Sequence, residues 1–345
     1  MSFIKISNAL TGPGFFRIAL AFIVFVYHVS RLGIGRSAVY IFFALSGYWT
    51  CVIWKRNFEN HKDAYRIFIL SRFWRLAPVF ILCSIVTWGL IFLHLYGVPI
   101  PEKINWIQEY FSNIMIGGYN LLLFQANGPA WSLDIEMQFY LVSPLVFAAM
   151  RKGFWVLAIF CLMSLTAYFV GIRQIFLPYL AFFAIGAAAA TFKWRPTTKL
   201  ALITLTFSGM SVLICLASPY RGILLGGAHP PPLYVFNDLF NIIFAIAMVP
   251  WAIYTTGQKG CSLDRMFGDL SYIMYLLHWP VISALGVGDG SYGHRAVRIG
   301  ESAIIVYSFS WIIWRWFDRP IDAIRSKWVA KALATNAASY PVVAE

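Results

Sequence analysis

Ten long apolar stretches recur from one end of this chain to the other, and no other feature constrains its fold as much. They run Phe15–Ser30, Ser37–Trp54, Leu76–Tyr96, Leu133–Met150, Phe154–Val170, Ile175–Phe192, Lys199–Ala217, Val235–Tyr254, Leu270–Val287 and Ser302–Phe317. Most approach the roughly 20 residues that a helix needs to cross the hydrocarbon core of a bilayer. In lipid, backbone N–H and C=O groups must be satisfied within the segment, so stretches of this kind are helical. Only 12% of the residues are charged, about half the share of a soluble domain. The expectation is an all-α polytopic membrane protein of about ten transmembrane helices. Residues 1–331 would form one membrane-embedded domain, and 332–345 a short, disordered C-terminal tail. Trp106–Phe124 is apolar but broken by Gly117 and Gly118, which suits an interfacial or re-entrant segment.

The basic residues set the expected orientation. With the N-terminus in the cytoplasm, 20 of the 27 Lys and Arg fall on the cytoplasmic side, as the positive-inside rule requires. Lys55, Arg56, Lys62, Arg66, Arg72 and Arg75 all lie between or beside spans two and three. The C-terminus is then cytoplasmic too. The net charge of +13 reports this bias and does not call for nucleic acid. The five Cys are scattered without a CxxC pair, so neither a disulfide framework nor a thiol metal site is expected.

Polar residues inside such spans are costly and usually face protein or a water-filled cavity. Arg17 and His28 bracket the first span, eleven residues apart. On a helix that separation places them within about 20° of one face, some 16 Å apart along the axis. They fit either an anchor with an interface histidine, or a cation and an imidazole stacked along one working face. Arg72 and Arg75 share a helical face at the start of span three. Together with Arg17 they could clamp a polyanion, because guanidinium binds phosphate bidentately.

Two carboxylates, Asp134 and Glu136, enter span four. Two apart on a helix, they point about 200° away from each other and cannot share a partner. Glu136 falls at roughly the depth of His28, so it is expected to orient that imidazole or share its proton; the other reading pairs it with an arginine. Tyr275 and His278 share a face of span nine, just before Pro280. Tyr275, His278, Trp131 and Ser46 are candidates to line a substrate pocket. Ser46 and Gly47 also form a small patch that lets helices approach closely.

Taken in order, several motifs resemble the acyltransferase 3 family of integral-membrane O-acyltransferases. They are Arg17-x10-His28, FFALSGY at Phe42–Tyr48, RFWRLAP at Arg72–Pro78, WSLDIEMQFY at Trp131–Tyr140, LSYIMYLLHWP at Leu270–Pro280 and FDRP at Phe317–Pro320. Asp134 stands where that family usually has a small residue, and Asp318 where Glu is more usual. The resemblance implies transfer of an acyl group, commonly acetyl, from a cytoplasmic acyl-CoA to a hydroxyl of a cell-envelope or exported saccharide or glycolipid. Arg17, Arg72 and Arg75 would hold the CoA phosphates, and His28, with Glu136, would be catalytic. Acyl-CoA would be a co-substrate, with no permanently bound cofactor or metal. The expected location is the inner (plasma) membrane. A different class fits the same buried charges: a proton-coupled transporter of an anionic solute. The lack of a visible internal repeat weighs against it.

Overall fold

The computed structural model describes residues 11–97, 113, 115–122, 124–227, 229–287 and 292–337. These residues form helices and connecting turns, with no named strand among them. The α-helices are α1 (Pro13–Val29), α2 (Gly35–Asn57), α3 (Ala64–Phe92), α4 (Trp131–Met150), α5 (Trp155–Phe169), α6 (Leu180–Thr191), α7 (Thr198–Ala217), α8 (Asn237–Thr256), α9 (Ser262–Ala284), α10 (Tyr292–Ile313) and α11 (Arg319–Ala337). One π-helical turn, Trp314–Asp318, joins the last two.

Each of the ten expected stretches falls on α1 to α10. Six helical segments are long and apolar enough to cross a membrane, and α1, α5 and the segment ending in α6 are apolar but shorter. The helix α11 was not anticipated. It runs on to Ala337, into the stretch expected as a tail, and residues 338–345 lie outside the described residues. Nine of the nineteen residues of Trp106–Phe124 also lie outside them; the described part holds a short turn at Tyr119–Leu121.

The bundle is built around α2, of which 72% of the apolar window is buried, against 11% for α7 at the periphery. Small residues make that burial possible. A Cβ added at Gly47 would stand 2.1 Å from the Phe183 carbonyl oxygen, and one at Gly186 only 1.8 Å from that of Ala44. Backbone therefore touches backbone where α2 crosses α6, the close approach that small residues permit in membranes.

A second close pair, α1 against α9, is parallel. Gly14 lies against the backbone of Asp264 and Gly268, and further along the same helices His28 lies beside His278. The start of α1 has open backbone donors; the buried Asp264 carboxylate accepts one, Phe15 N–H, at 2.9 Å.

Prolines inside helices remove a donor. Pro144 frees the Tyr140 carbonyl, which accepts the Ser143 hydroxyl at 3.0 Å. Pro280 frees that of Leu276, which accepts Asn127 Nδ2 at 2.9 Å.

Gly186→Val is expected to prevent α2 and α6 from closing, since overpacking costs about 1–3 kcal/mol even where neighbours can yield. Gly209→Val, in open space on α7, should be neutral. Monodispersity and melting temperature in detergent check both.

Candidate functional site

Six helices converge on a cavity of about 350 Å³ lined by Arg17 of α1, Ser46 of α2, Arg72 and Arg75 of α3, Glu136 of α4, Tyr275 of α9 and Arg325 of α11. Its four guanidinium groups are not equivalent. Arg75 is surrounded by acid: Asp269 at 3.0 Å, Asp318 at 3.2 Å and Asp322 at 3.9 Å. Arg325 pairs with Asp322 at 2.8 Å and donates to Ser71 Oγ at 2.9 Å. Arg72 instead lies over the rings of Phe68 and Tyr140, 5.6 and 5.9 Å from their centroids. Its buried Nε has no hydrogen-bond partner among the described residues. Arg17, from the opposite wall, is likewise without a carboxylate within ion-pair distance among them. Two cations therefore face this cavity without a bonded counter-charge, an arrangement that favours an anionic ligand.

Glu136 is the cavity's own carboxylate, and its partners are local. Its Oε1 accepts Ser46 Oγ–H and Tyr140 O–H, both at 2.5 Å. The expected link to His28 is absent: the glutamate faces the arginine cavity, and no contact between the two side chains is formed. The opposed directions expected of Asp134 and Glu136 are observed. The buried Asp134 turns to the preceding loop, accepting Gly118 N–H at 2.8 Å and Asn120 N–H at 2.9 Å.

His28 lines a second cavity of about 580 Å³, with Tyr27, Arg36, Trp131, Arg173 and Asp238 among its walls. Val39 and Tyr275 line both cavities and so form part of the partition between them. The Tyr275 hydroxyl is fixed, 2.7 Å from Ser132 Oγ and donating to the Pro129 carbonyl at 3.0 Å.

What stands beside His28 is aromatic. The ring centroids of Trp279 and His278 lie 5.1 and 5.2 Å from its own. His278 Nδ1 is 3.2 Å from the Met274 carbonyl oxygen. A carbonyl can only accept, so this nitrogen carries the proton. Nε2 is then a bare lone pair, buried and without a hydrogen-bond partner among the described residues. Trp279 donates to Tyr96 OH at 3.0 Å.

The structure thus brings Arg17, Arg72, Arg75, Glu136 and Ser46 to one cavity, and His28 and Trp131 to the other. Tyr275 stands between them, and His278 packs behind His28. Sequence reading missed Arg325, which had counted only as a positive-inside residue, and the Arg36–Asp238 ion pair. Asp269 and Asp322 were missed as well, because they lie far along the chain from the Arg75 they pair with.

An α-helical bundle with long apolar helices and ionisable groups buried around two adjoining cavities defines an integral membrane protein with an internal site. Residues 10–315 match the acyltransferase domain of the acyltransferase 3 family, and the chain belongs to that family. It is accordingly an acyltransferase moving groups other than amino-acyl groups, which sets aside the transporter reading. It is similar to acyltransferase MdmB of Streptomyces mycarofaciens, at 25% identity over 305 residues, covering 78% of this chain and 71% of that one. No solved structure matches it.

The two arginines of the RxxR pair should behave differently. Arg72→Gln is expected to weaken acyl-donor binding roughly tenfold or more, the worth of a charge-assisted hydrogen bond, with folding retained. Arg75→Gln leaves the buried Asp318 without its cation and should lower stability by about 3 kcal/mol, while the more exposed Asp269 and Asp322 add little. Donor titration and thermal melts of both purified variants distinguish the two effects.

Proposed function

We propose that the protein is an O-acyltransferase of the inner membrane that moves an acyl group, acetyl in the simplest case, from acyl-CoA to a hydroxyl of a cell-envelope or exported saccharide. The observation that carries this reading is the disposition of α1. Its Arg17 faces the cavity with two cations that lack bonded counter-charge, and its His28, further along the same helix, faces the adjoining cavity.

On this reading the donor phosphates sit with Arg17 and Arg72 at the cytoplasmic side. Arg75 and Arg325, already paired, shape the mouth rather than bind, and Glu136 offsets part of the positive charge while fixing Ser46 and Tyr140. Phosphates cannot cheaply leave that site for lipid, whereas the uncharged pantetheine arm can extend past Val39 and Tyr275. It delivers the thioester to His28. His28 acts as general base: it takes the proton of the acceptor hydroxyl as the oxygen attacks the thioester carbonyl. The tetrahedral intermediate expels the CoA sulfur, which leaves with the proton that His28 returns. The acceptor, dense in hydroxyls, enters the histidine cavity from the far aqueous side. His278 positions the imidazole by packing against it, ring centroids 5.2 Å apart.

His28→Ala should reduce transfer by about 10²–10⁴-fold, the usual contribution of a general base, while the protein still inserts and melts normally. Mass spectrometry of envelope and exported glycans from deleted and complemented cells reads the lost acyl mass. Wild-type acylation by this variant would remove His28 from the chemistry.

Sidedness is tested in sealed vesicles of both orientations, with membrane-impermeant acetyl-CoA and an acceptor-bearing glycan fraction supplied separately to each face. Transfer should require donor on the cytoplasmic face and acceptor on the other. Transfer with both confined to the cytoplasmic face would mean that the acceptor is modified before export.

A further inference from the structure

The charges of the histidine cavity form a chain of contacts that the reaction above does not use. Arg36 of α2 is ion-paired through its guanidinium to Oδ1 of Asp238 on α8. The other carboxylate oxygen, Oδ2, accepts the Tyr168 hydroxyl of α5 at 3.1 Å. The face of the Tyr168 ring in turn carries Arg173, whose guanidinium carbon lies 3.8 Å from the ring centroid. Both oxygens of the one acidic side chain lining this cavity among the described residues are therefore engaged, and neither is bonded to Arg173.

A cation over an aromatic face is held by the ring quadrupole, while its N–H groups, which lie in the guanidinium plane, remain available for hydrogen bonds. The segment carrying Arg173 is itself fixed. Its backbone N–H donates to Gln174 Oε1 at 3.2 Å, and the Gln174 carbonyl accepts from Gln138 Nε2 at 3.3 Å. Arg173 is thus a pre-placed cation with open donors and no acidic partner among the described residues, in a cavity it shares with His28.

The rest of the wall suits a ring-shaped polar molecule. Tyr179 packs with Trp131 at 5.4 Å between centroids, giving an aromatic surface, and Asn120, Gln125 and Gln174 supply neutral hydrogen-bonding groups. Aromatic side chains of this kind offer an apolar body with a polar edge.

We infer that the acceptor is acidic: a saccharide carrying a carboxylate or phosphate near the hydroxyl that is acylated, with Arg173 as the residue that binds that anionic group. This rests on the acyl-transfer reading above and names the chemical class of its acceptor. Arg36, already committed to Asp238, holds the scaffold. A planar guanidinium takes either oxyanion through two parallel N–H···O bonds, so the binding chemistry is common to both acids.

The test uses cells lacking the gene, complemented with wild type, Arg173→Gln or Arg173→Lys, at matched membrane abundance. Tandem mass spectrometry locates the acyl group that deletion removes. It is expected on a sugar that bears a carboxylate or phosphate, or is directly linked to one. Hydrofluoric acid, which cleaves phosphate esters, and carbodiimide-mediated reduction, which removes carboxylates, tell the two acids apart. Glycan from the deletion strain, native or stripped of its acid by the same treatments, is then offered to purified protein with acetyl-CoA. Wild type should prefer the native glycan by about tenfold or more, the worth of a charge-assisted contact. Arg173→Gln should lose that preference and Arg173→Lys retain part of it, with the KM for acetyl-CoA unchanged. An acyl group found on a neutral sugar with no acid beside it would overturn the inference. So would equal use of native and stripped glycan by wild type. A deletion that removes no acyl mass at all would instead overturn the acyltransfer reading on which the inference rests.

Discussion

The parallel contact of α1 with α9 is the constraint on which the site depends. Gly14 lets the two backbones meet, and Asp264 of α9 accepts the Phe15 N–H from the first turn of α1. A larger residue at Gly14 would meet the Asp264 carbonyl oxygen at 1.7 Å, so the contact has no tolerance. Once the starts are fixed, helical geometry carries the rest. Arg17 reaches the cavity walled on its far side by α3 and α4, and His28 arrives beside His278. The spacing of the first span thus acquires meaning only through a partner some 250 residues away in sequence.

Burying guanidinium groups in a membrane bundle requires counter-charge or a ligand, since unpaired buried charge is among the costliest things a fold can hold. This chain treats its arginines in two ways. Arg75 is tied to Asp269, Asp318 and Asp322, on α9, the π-helical turn and α11, which fastens those elements to α3, while Arg325 pairs with Asp322 within α11 and reaches α3 through Ser71 Oγ. Arg72, one turn away from Arg75, is given ring faces instead of acid. Rings attract a cation without consuming its hydrogen-bonding edge, whereas carboxylates occupy it. The same device recurs at Arg173 over Tyr168 in the other cavity. At these two cavities the carboxylate-paired arginines hold the scaffold, and Arg72 and Arg173, set over rings, have no acidic partner among the described residues.

Much of this was legible in the sequence. Apolar stretches gave the helices because lipid leaves the backbone no other choice. Arg17 and His28 could be put on one face from spacing alone, and so could the opposed directions of Asp134 and Glu136. The α2–α6 crossing was foreshadowed by Ser46 and Gly47. What was not legible depends on pairings across the fold. Nothing in Arg72-Phe73-Trp74-Arg75 says which arginine will meet three aspartates, because those acids come from segments nearly 200 residues or more further along. Glu136 was matched to His28 by depth, but depth fixes only one coordinate. The rotation of α4 turns the carboxylate to Ser46 and Tyr140. The helix α11 was hidden because it is not apolar enough to read as a span, although it brings Arg325 to the cavity.

On the proposed reading, the partition between the cavities keeps apart two substrates that arrive from opposite faces of the membrane. Were they one open channel, water and ions would cross, and a thioester lying in it would be exposed to hydrolysis from both sides. The described wall includes Val39, an apolar side chain from the central helix, and Tyr275, whose hydroxyl is held by Ser132 and the Pro129 carbonyl. That pair of contacts ties α9 to the start of α4 at the level where the two cavities adjoin. Asn127 adds a second tie, filling the carbonyl that Pro280 leaves free. The proline that interrupts α9 just after His278 is therefore also the reason the loop is anchored there. On the proposed reading, a donor arm threading past Tyr275 meets a side chain whose backbone is secured by Asn127 and by the close contact of α1 with α9.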